Sequence, residues 1–288
     1  GQQPFVQGEP AYLGYNLTLD AGNIHGSGYF ESYVKYAYLE MGNMLPGLVV
    51  RFGQNPTPWV GYEEHLWGFR FLSKVFVDLF GYMSSTDRGL SVLYRPASGK
   101  AEVHLSVVNG EGYHGSEVNA SKDVMGRLSV FPLAGSSSFL SGLGLHVYGQ
   151  QGRVTTDTVR NRYIAGLSLV GDLGRIMGEW IQTQDGASAS PRNGQGYSLF
   201  GSVDLGRWLM PEAGRSFGVL FRYDQRDPNT SVSNDGTRMV IGRLFVRPCL
   251  FLRSLNNVVF AVNVLHYSYE DPAKQADTYV RFNAEVKF

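Results

Sequence analysis

The stretch Thr278-Tyr-Val-Arg-Phe-Asn-Ala-Glu-Val-Lys-Phe288 decides the fold. Val280, Phe282, Ala284, Val286 and Phe288 share one parity, and Tyr279, Arg281, Asn283, Glu285 and Lys287 share the other. A period of two is a β-strand with one apolar and one polar face. Strands of water-soluble domains usually run about 5–6 residues. A tilted strand that crosses a bilayer needs roughly 9–11. The length and the alternation together predict a strand with hydrocarbon on one side.

Working outward from it, alternating segments recur along the chain at 10–21, 28–42, 47–54, 85–96, 101–110, 123–132, 140–150, 159–171, 174–184, 195–206, 215–225, 236–248, 256–268 and 278–288. In the fifth, Val103, Leu105 and Val107 oppose Glu102, His104 and Ser106. In the eleventh, Phe217, Val219, Phe221 and Tyr223 oppose Ser216, Gly218, Arg222 and Asp224. Segments 174–184 and 256–268 alternate less cleanly. With both ends of the chain on one side, the links on that side are short: 43–46, 97–100, 133–139, 172–173, 207–214 and 249–255. Those on the other side, 22–27, 55–84, 111–122, 151–158, 185–194, 226–235 and 269–277, are mostly longer. That asymmetry is the plan of a transmembrane barrel. Hydrocarbon also demands that every backbone donor and acceptor be paired, which strands achieve only by closing. The expectation is an all-β chain, residues 1–288 forming one closed antiparallel barrel of about fourteen strands.

Composition agrees. Charged residues are 17% of the 288, and there are 17 Tyr, 17 Phe and 36 Gly, which suits aromatic girdles and tight turns. Basic and acidic residues number 25 each, so no nucleic-acid partner is expected. The single cysteine, Cys249, excludes an intrachain disulfide. No apolar run is long enough for a membrane helix. No signal peptide is evident, as expected of a mature form.

Cost assigns the faces. An Arg or Lys facing lipid at the bilayer midplane costs roughly 2–4 kcal/mol, so the charged parity faces inward. That places Lys35, Arg51, Arg127, Arg162, Arg222, Arg243, Arg281 and Lys287 inside, with Glu102, Glu179, Asp204, Asp224 and Glu285. Buried charges need water or partners. Their spread over many strands predicts a wet lumen lined by these residues, with basic groups modestly in excess.

Segment 55–84 is longer than an ordinary connection and too apolar for disorder. Trp59, Trp67, Phe69, Phe71, Leu72, Phe76 and Phe80 require burial, and residues 63–79 suit a short helix. The expectation is a constriction loop folded into the lumen. Its charges are Glu63, Glu64 and Asp78 against Arg70 and Lys74, so it makes no anion filter by itself.

Lys35-Tyr-Ala-Tyr-Leu39, Val50-Arg-Phe-Gly-Gln-Asn-Pro-Thr-Pro-Trp59 and the terminal aromatic strand resemble bacterial outer-membrane porins of the phosphate-selective O and P type. The resemblance implies sixteen strands, a homotrimer and a Lys/Arg-rich constriction. The alternation here counts fourteen.

No chemistry rises above background. His104 and Ser106 share a strand face, and His146 faces the same way, but an orienting acid is not evident. Asp224, Asp227, Asn229, Asn234 and Asp235 match no calcium-loop spacing. The chain is read as a non-enzyme without metal or cofactor. The expected function is passive diffusion of small hydrophilic solutes or ions across an outer membrane, with weak anion preference, lipid around the barrel and a homo-oligomer as a further option. The alternative is a structural barrel with an occluded lumen that sheathes or docks a partner protein.

Overall fold

The computed structural model describes residues 10–22, 30–209, 217–246 and 258–286. Its strands are β1 (Tyr12–Gly22), β2 (Glu31–Gly42), β3 (Leu48–Pro56), β4 (Thr86–Tyr94), β5 (Ala101–Val108), β6 (Asp123–Val130), β7 (Leu143–Gln151), β8 (Arg153–Thr155), β9 (Thr158–Gly171), β10 (Gly174–Ala187), β11 (Arg192–Val203), β12 (Phe217–Asp227), β13 (Thr237–Val246), β14 (Val258–Tyr269) and β15 (Asp277–Val286). They form one antiparallel sheet in chain order, with only the three-residue β8 off the path, as a spur on β9. The remaining strands match the fourteen alternating segments. Lys287 and Phe288, the link segment around Cys249 and the N-terminal residues 1–9 lie outside the described residues.

The two parities are in different surroundings. Leu13, Tyr15, Leu105, Val107, Leu145, Tyr197, Phe221, Phe260, Val262 and Phe282 point outward and are exposed. Glu102, His104, Ser106, His146, Ser198, Arg222 and Asp224 point inward and are buried. An apolar outer face over the whole sheet is a lipid-facing surface. The register of β14 on β15, with Ala261 opposite Asn283 and Val262 opposite Phe282, carries that division to the last strand. In β2 a bulge opposite Thr18 and Leu19 places Lys35 out of step, so that Tyr36 and Lys35 both turn inward while Val34 and Ala37 turn out.

The sheet is curled around residues 57–85. Side chains of β6, β7, β9, β10, β11, β12 and β13 all touch this one segment. Strands lie about 4.8 Å apart, so those seven would span roughly 30 Å if flat. Only a sheet closed most of the way round brings them to a single loop. Among the described residues no ladder joins β15 to β1. In hydrocarbon two bare edges would leave rows of N–H and C=O groups unpaired, so the physics of the membrane requires them to meet.

The loop asymmetry is narrower than expected. Strands β9, β10 and β11 run on into their connections, so the link expected at 185–194 shrinks to 188–191, and the link expected to be short at 133–139 widens to 131–142. The asymmetry rests mainly on 57–85 and 109–122.

Candidate functional site: a loop docked inside the sheet

The loop enters at Thr57, whose N–H and Oγ donate to the carbonyls of Ser85 and Ser84 at 3.0 and 2.6 Å, so that entry and exit are pinned together. Instead of one helix over 63–79 it forms two short ones, α1 (Val60–Trp67) and α2 (Phe76–Leu79). Gly68 ends α1 with φ +69°, the left-handed region that favours glycine. A Cβ there would also lie 2.6 Å from the Arg175 guanidinium. That guanidinium donates to the carbonyls of His65 and Leu66 at 3.2 and 3.1 Å, satisfying the otherwise open end of α1.

The apolar side of the loop is dry. Trp59, Val60, Trp67, Val75, Phe76 and Val77 are almost fully buried, and they pack on an apolar wall that includes Tyr148, Ile164, Met177, Ile181, Phe200, Leu220, Met239 and Phe245. Trp67 meets Phe200 edge-on with ring centres 5.0 Å apart. The sheet leaves room for α2 at Gly196, where a Cβ would lie 2.5 Å from the Phe76 ring.

Four wall arginines hold loop carbonyls. Arg127 Nε donates to Pro58 O at 2.8 Å, Arg162 Nε to Tyr82 O at 2.9 Å, Arg222 Nη1 to Lys74 O at 2.7 Å, and Arg175 to the end of α1. Aromatic rings of the loop cover wall guanidiniums as well, among them Tyr62 over Arg127 at 3.7 Å, Trp67 over Arg222 at 4.9 Å, and Phe69 and Phe71 over Arg243 at 4.9 and 4.7 Å. Acids of the wall complete the pairing. Glu102 accepts from Arg127 and from Arg95, Asp185 from Arg162 at 2.9 Å, and Asp224 from Arg222 at 2.6 Å.

This corrects the expected wet lining. Arg127, Arg162, Arg222, Arg243, Glu102, Glu179 and Asp224 face inward as the alternation predicts, yet they are buried beneath the loop instead of meeting water. The physical reason is that a loop rich in buried rings also brings in carbonyls that need donors, and arginine supplies them. Asp204 departs differently. It lies past the end of β11, where its N–H donates to Leu173 O and its carbonyl receives Trp208 at the start of the short helix α3 (Leu205–Leu209).

The other inward residues are wetter. Arg281 is exposed beside Tyr279, and Glu285 is half-buried on the same strand. Lys35 lies 3.7 Å from Asp20, with side-chain exposures of 24% and 43%. Arg51 is the exception: it is buried, paired with Glu40 at 2.6 Å under the Tyr38 ring. The loop pairs its own more exposed charges among themselves. Arg70 pairs with Glu64 at 2.7 Å and with Asp78 at 3.3 Å, and Lys74 with Asp78 at 3.0 Å. Glu63, adjacent to Glu64 in sequence, points the other way and is buried against the wall. At the outer mouth a cavity of about 330 Å³ opens between α2 and the 110–114 turn, lined by Lys74, Asp78, Glu111, Tyr113, His114 and Arg160.

His104 and Ser106 do not pair. Ser106 shares a hydrogen bond with Ser91 at 2.8 Å. His146 instead has Ser168 at 2.8 Å and the Tyr62 hydroxyl at 3.2 Å, a buried chain that ties the loop to β7 and β9. Asp224 lies inside the sheet, whereas Asp227 and Asn229 accept from backbone N–H groups two residues on, so the acidic residues near 224–235 do different jobs.

No protein-family model matches the chain, and no curated protein is similar to it by sequence. Solved structures share its fold. The outer membrane channel DcaP of Acinetobacter baumannii superposes with a TM-score of 0.63 at 10% identity, covering 97% of this chain and 82% of that one. The anion-selective porin from Comamonas acidovorans gives 0.55 at 11% identity, covering 96% and 98%. The trimer form of OmpT, an outer membrane protein of Vibrio cholerae, gives 0.52 at 12% identity, covering 91% and 80%. The chain therefore has the fold of outer-membrane β-barrel porins.

Proposed function

We propose that the protein is a passive outer-membrane channel for small hydrophilic solutes or ions, with a narrow path and weak anion preference. The observation that supports it is the uneven burial of the inward face. The plug made by 57–85 packs against β5 to β14. Inward groups of β15, β1 and β2, such as Arg281, Asp20 and Lys35, and the ion pairs on the loop surface keep access to water. In this reading water and solute pass between Arg70, Lys74 and Glu64 on the loop and Lys35, Tyr36, Tyr38 and Arg281 on the wall.

Paired charges keep selectivity low. On the loop the basic partners are the more exposed, Arg70 at 44% and Lys74 at 49% against 16% for Asp78. On the wall the order reverses, with Asp20 and Glu40 more exposed than Lys35 and Arg51. A small excess of basic ends, including Arg281, leaves a slight preference for anions. The wall arginines are spent on loop carbonyls, so the proposal does not extend to phosphate selectivity. A homo-oligomer in the membrane is part of the reading, as in the trimeric Vibrio structure.

Planar-bilayer recording of the purified protein in a potassium chloride gradient tests this. The expected result is a small, steady conductance with a reversal potential displaced slightly toward chloride. A sealed bilayer, or clear cation selectivity, contradicts it. A sealed bilayer with a co-purifying partner protein is the outcome expected of an occluded sheath.

A further inference from the structure

Two acids meet where α1 lies against β10. Glu63 and the inward-facing Glu179 are both buried, and their carboxyl groups are near enough to act on each other. Glu63 Oε1 also accepts the Phe76 N–H at 3.0 Å, which ties α1 to α2. Among the described residues no other protein donor reaches Glu63 Oε2 or either oxygen of Glu179. Ionised carboxylates only accept hydrogen bonds, so these oxygens can satisfy one another only if one of the two groups carries a proton.

The surroundings offer no substitute for that proton. Arg222 and Asp224 on β12 are the charged groups that act on the pair. Arg222 is engaged by Asp224 through Nε and Nη2 and by the Lys74 carbonyl through Nη1. Ser198 on β11 spends its hydroxyl on Asp224. Three buried carboxyl groups thus share one buried guanidinium. Ionising both glutamates would place uncompensated like charges there, which low-dielectric surroundings strongly disfavour. Burial pushes the Glu63 carboxyl up to about 7.

We propose that Glu63 and Glu179 share one proton, and that this proton locks the constriction loop to the wall so that the loop loosens in alkaline solution. The sign follows from linkage. An acid whose folded form holds its proton more tightly than its unfolded form contributes most at low pH. Its contribution fades as pH rises through the folded value, here about 7. The lock rests on the channel reading only where current is the readout.

The test uses the full chain in detergent micelles, with Trp180 and Trp208 replaced by Phe so that Trp59 and Trp67 of the loop report alone. Acrylamide quenching is measured from pH 5 to pH 9. The expected result is at least a twofold rise in quenching between those limits. The rise is lost in Glu179→Gln, whose amide donates to Glu63 without a titrating proton, and in Glu63→Gln, whose side-chain oxygen still accepts from Phe76. Quenching that is flat in the parent protein, or that rises equally in both amide variants, overturns the lock. Recording the same proteins in bilayers separates the two readings. A pH-dependent quenching signal with no conductance supports the lock and removes the channel. A conductance that rises with pH only where the glutamates are intact supports both.

Discussion

The inward face of β6 to β13 and the inward face of β15, β1 and β2 are built from the same kinds of residues and do opposite things. On the first, arginines are buried, covered by aromatic rings and bonded to carbonyls of the loop. On the second, Lys35 and Arg281 retain access to water, and Asp20 is the more exposed member of its pair. The difference lies in what stands opposite. Where the loop presents Trp67, Phe69 and Phe76, the wall answers with Met177, Ile181 and Phe200, and its charges must find protein partners. Arg70, Lys74 and Glu64 pair within the loop on its more exposed surface. One side of the sheet anchors a plug and the other keeps charged groups in reach of water.

The contrast can be broken most forcefully at Arg222. Arg222→Ala strands Asp224 and the Lys74 carbonyl in a dry contact, a loss expected to cost about 3–5 kcal/mol. Arg281→Ala on the wet side is expected to cost about 1 kcal/mol or less. Denaturant unfolding of both variants in the same detergent checks the ratio, and equal losses would erase the distinction between the two faces.

A smaller effect is expected at the seat of α2. Gly196→Ala drives a methyl group into the Phe76 ring and should cost about 1–3 kcal/mol by overpacking. Gly178→Ala, on the outward parity of β10 with its nearest neighbour 3.7 Å away, should be close to neutral. The same unfolding measurement reads this pair. At the loop surface, Lys74→Glu is expected to change stability by about 1 kcal/mol or less, yet to move the reversal potential toward cations. An unchanged reversal potential would mean that solute does not pass the charged side of the loop.

Much of this was legible in the sequence. Alternation located all fourteen strands of the sheet path and their lipid-facing parity, and the ring-rich composition of 55–84 pointed to an inward fold. The two segments whose alternation was weak, 174–184 and 256–268, are informative in retrospect. β10 and β14 turn Met177, Ile181, Val259, Ala261 and Leu265 inward, because apolar loop residues pack on that side. Blurred alternation was therefore the mark of the plug's wall, not of an irregular strand.

The partners of the charges were not legible. Parity puts Arg127, Arg162 and Arg222 inside, but their acceptors are backbone carbonyls of Pro58, Tyr82 and Lys74, which carry no sequence signal. The break at Gly68 that divides the loop helix depends on Arg175 arriving from a strand more than a hundred residues away. Glu63 and Glu64 are adjacent and similar in sequence, yet the helix geometry buries the first and leaves the second half-exposed, paired with Arg70.

The most direct measurement of the division is cysteine accessibility during current recording. With Cys249 changed to Ser, single cysteines at Asn16, Lys35 and Arg281 are compared with single cysteines at Ser198, Ile181 and Ser129, using a charged thiol reagent added from the water phase. The account predicts that the first set reacts and alters the current, while the second set stays unmodified as long as the plug is seated. Equal reaction of the two sets, or reaction of the second set alone, would contradict it.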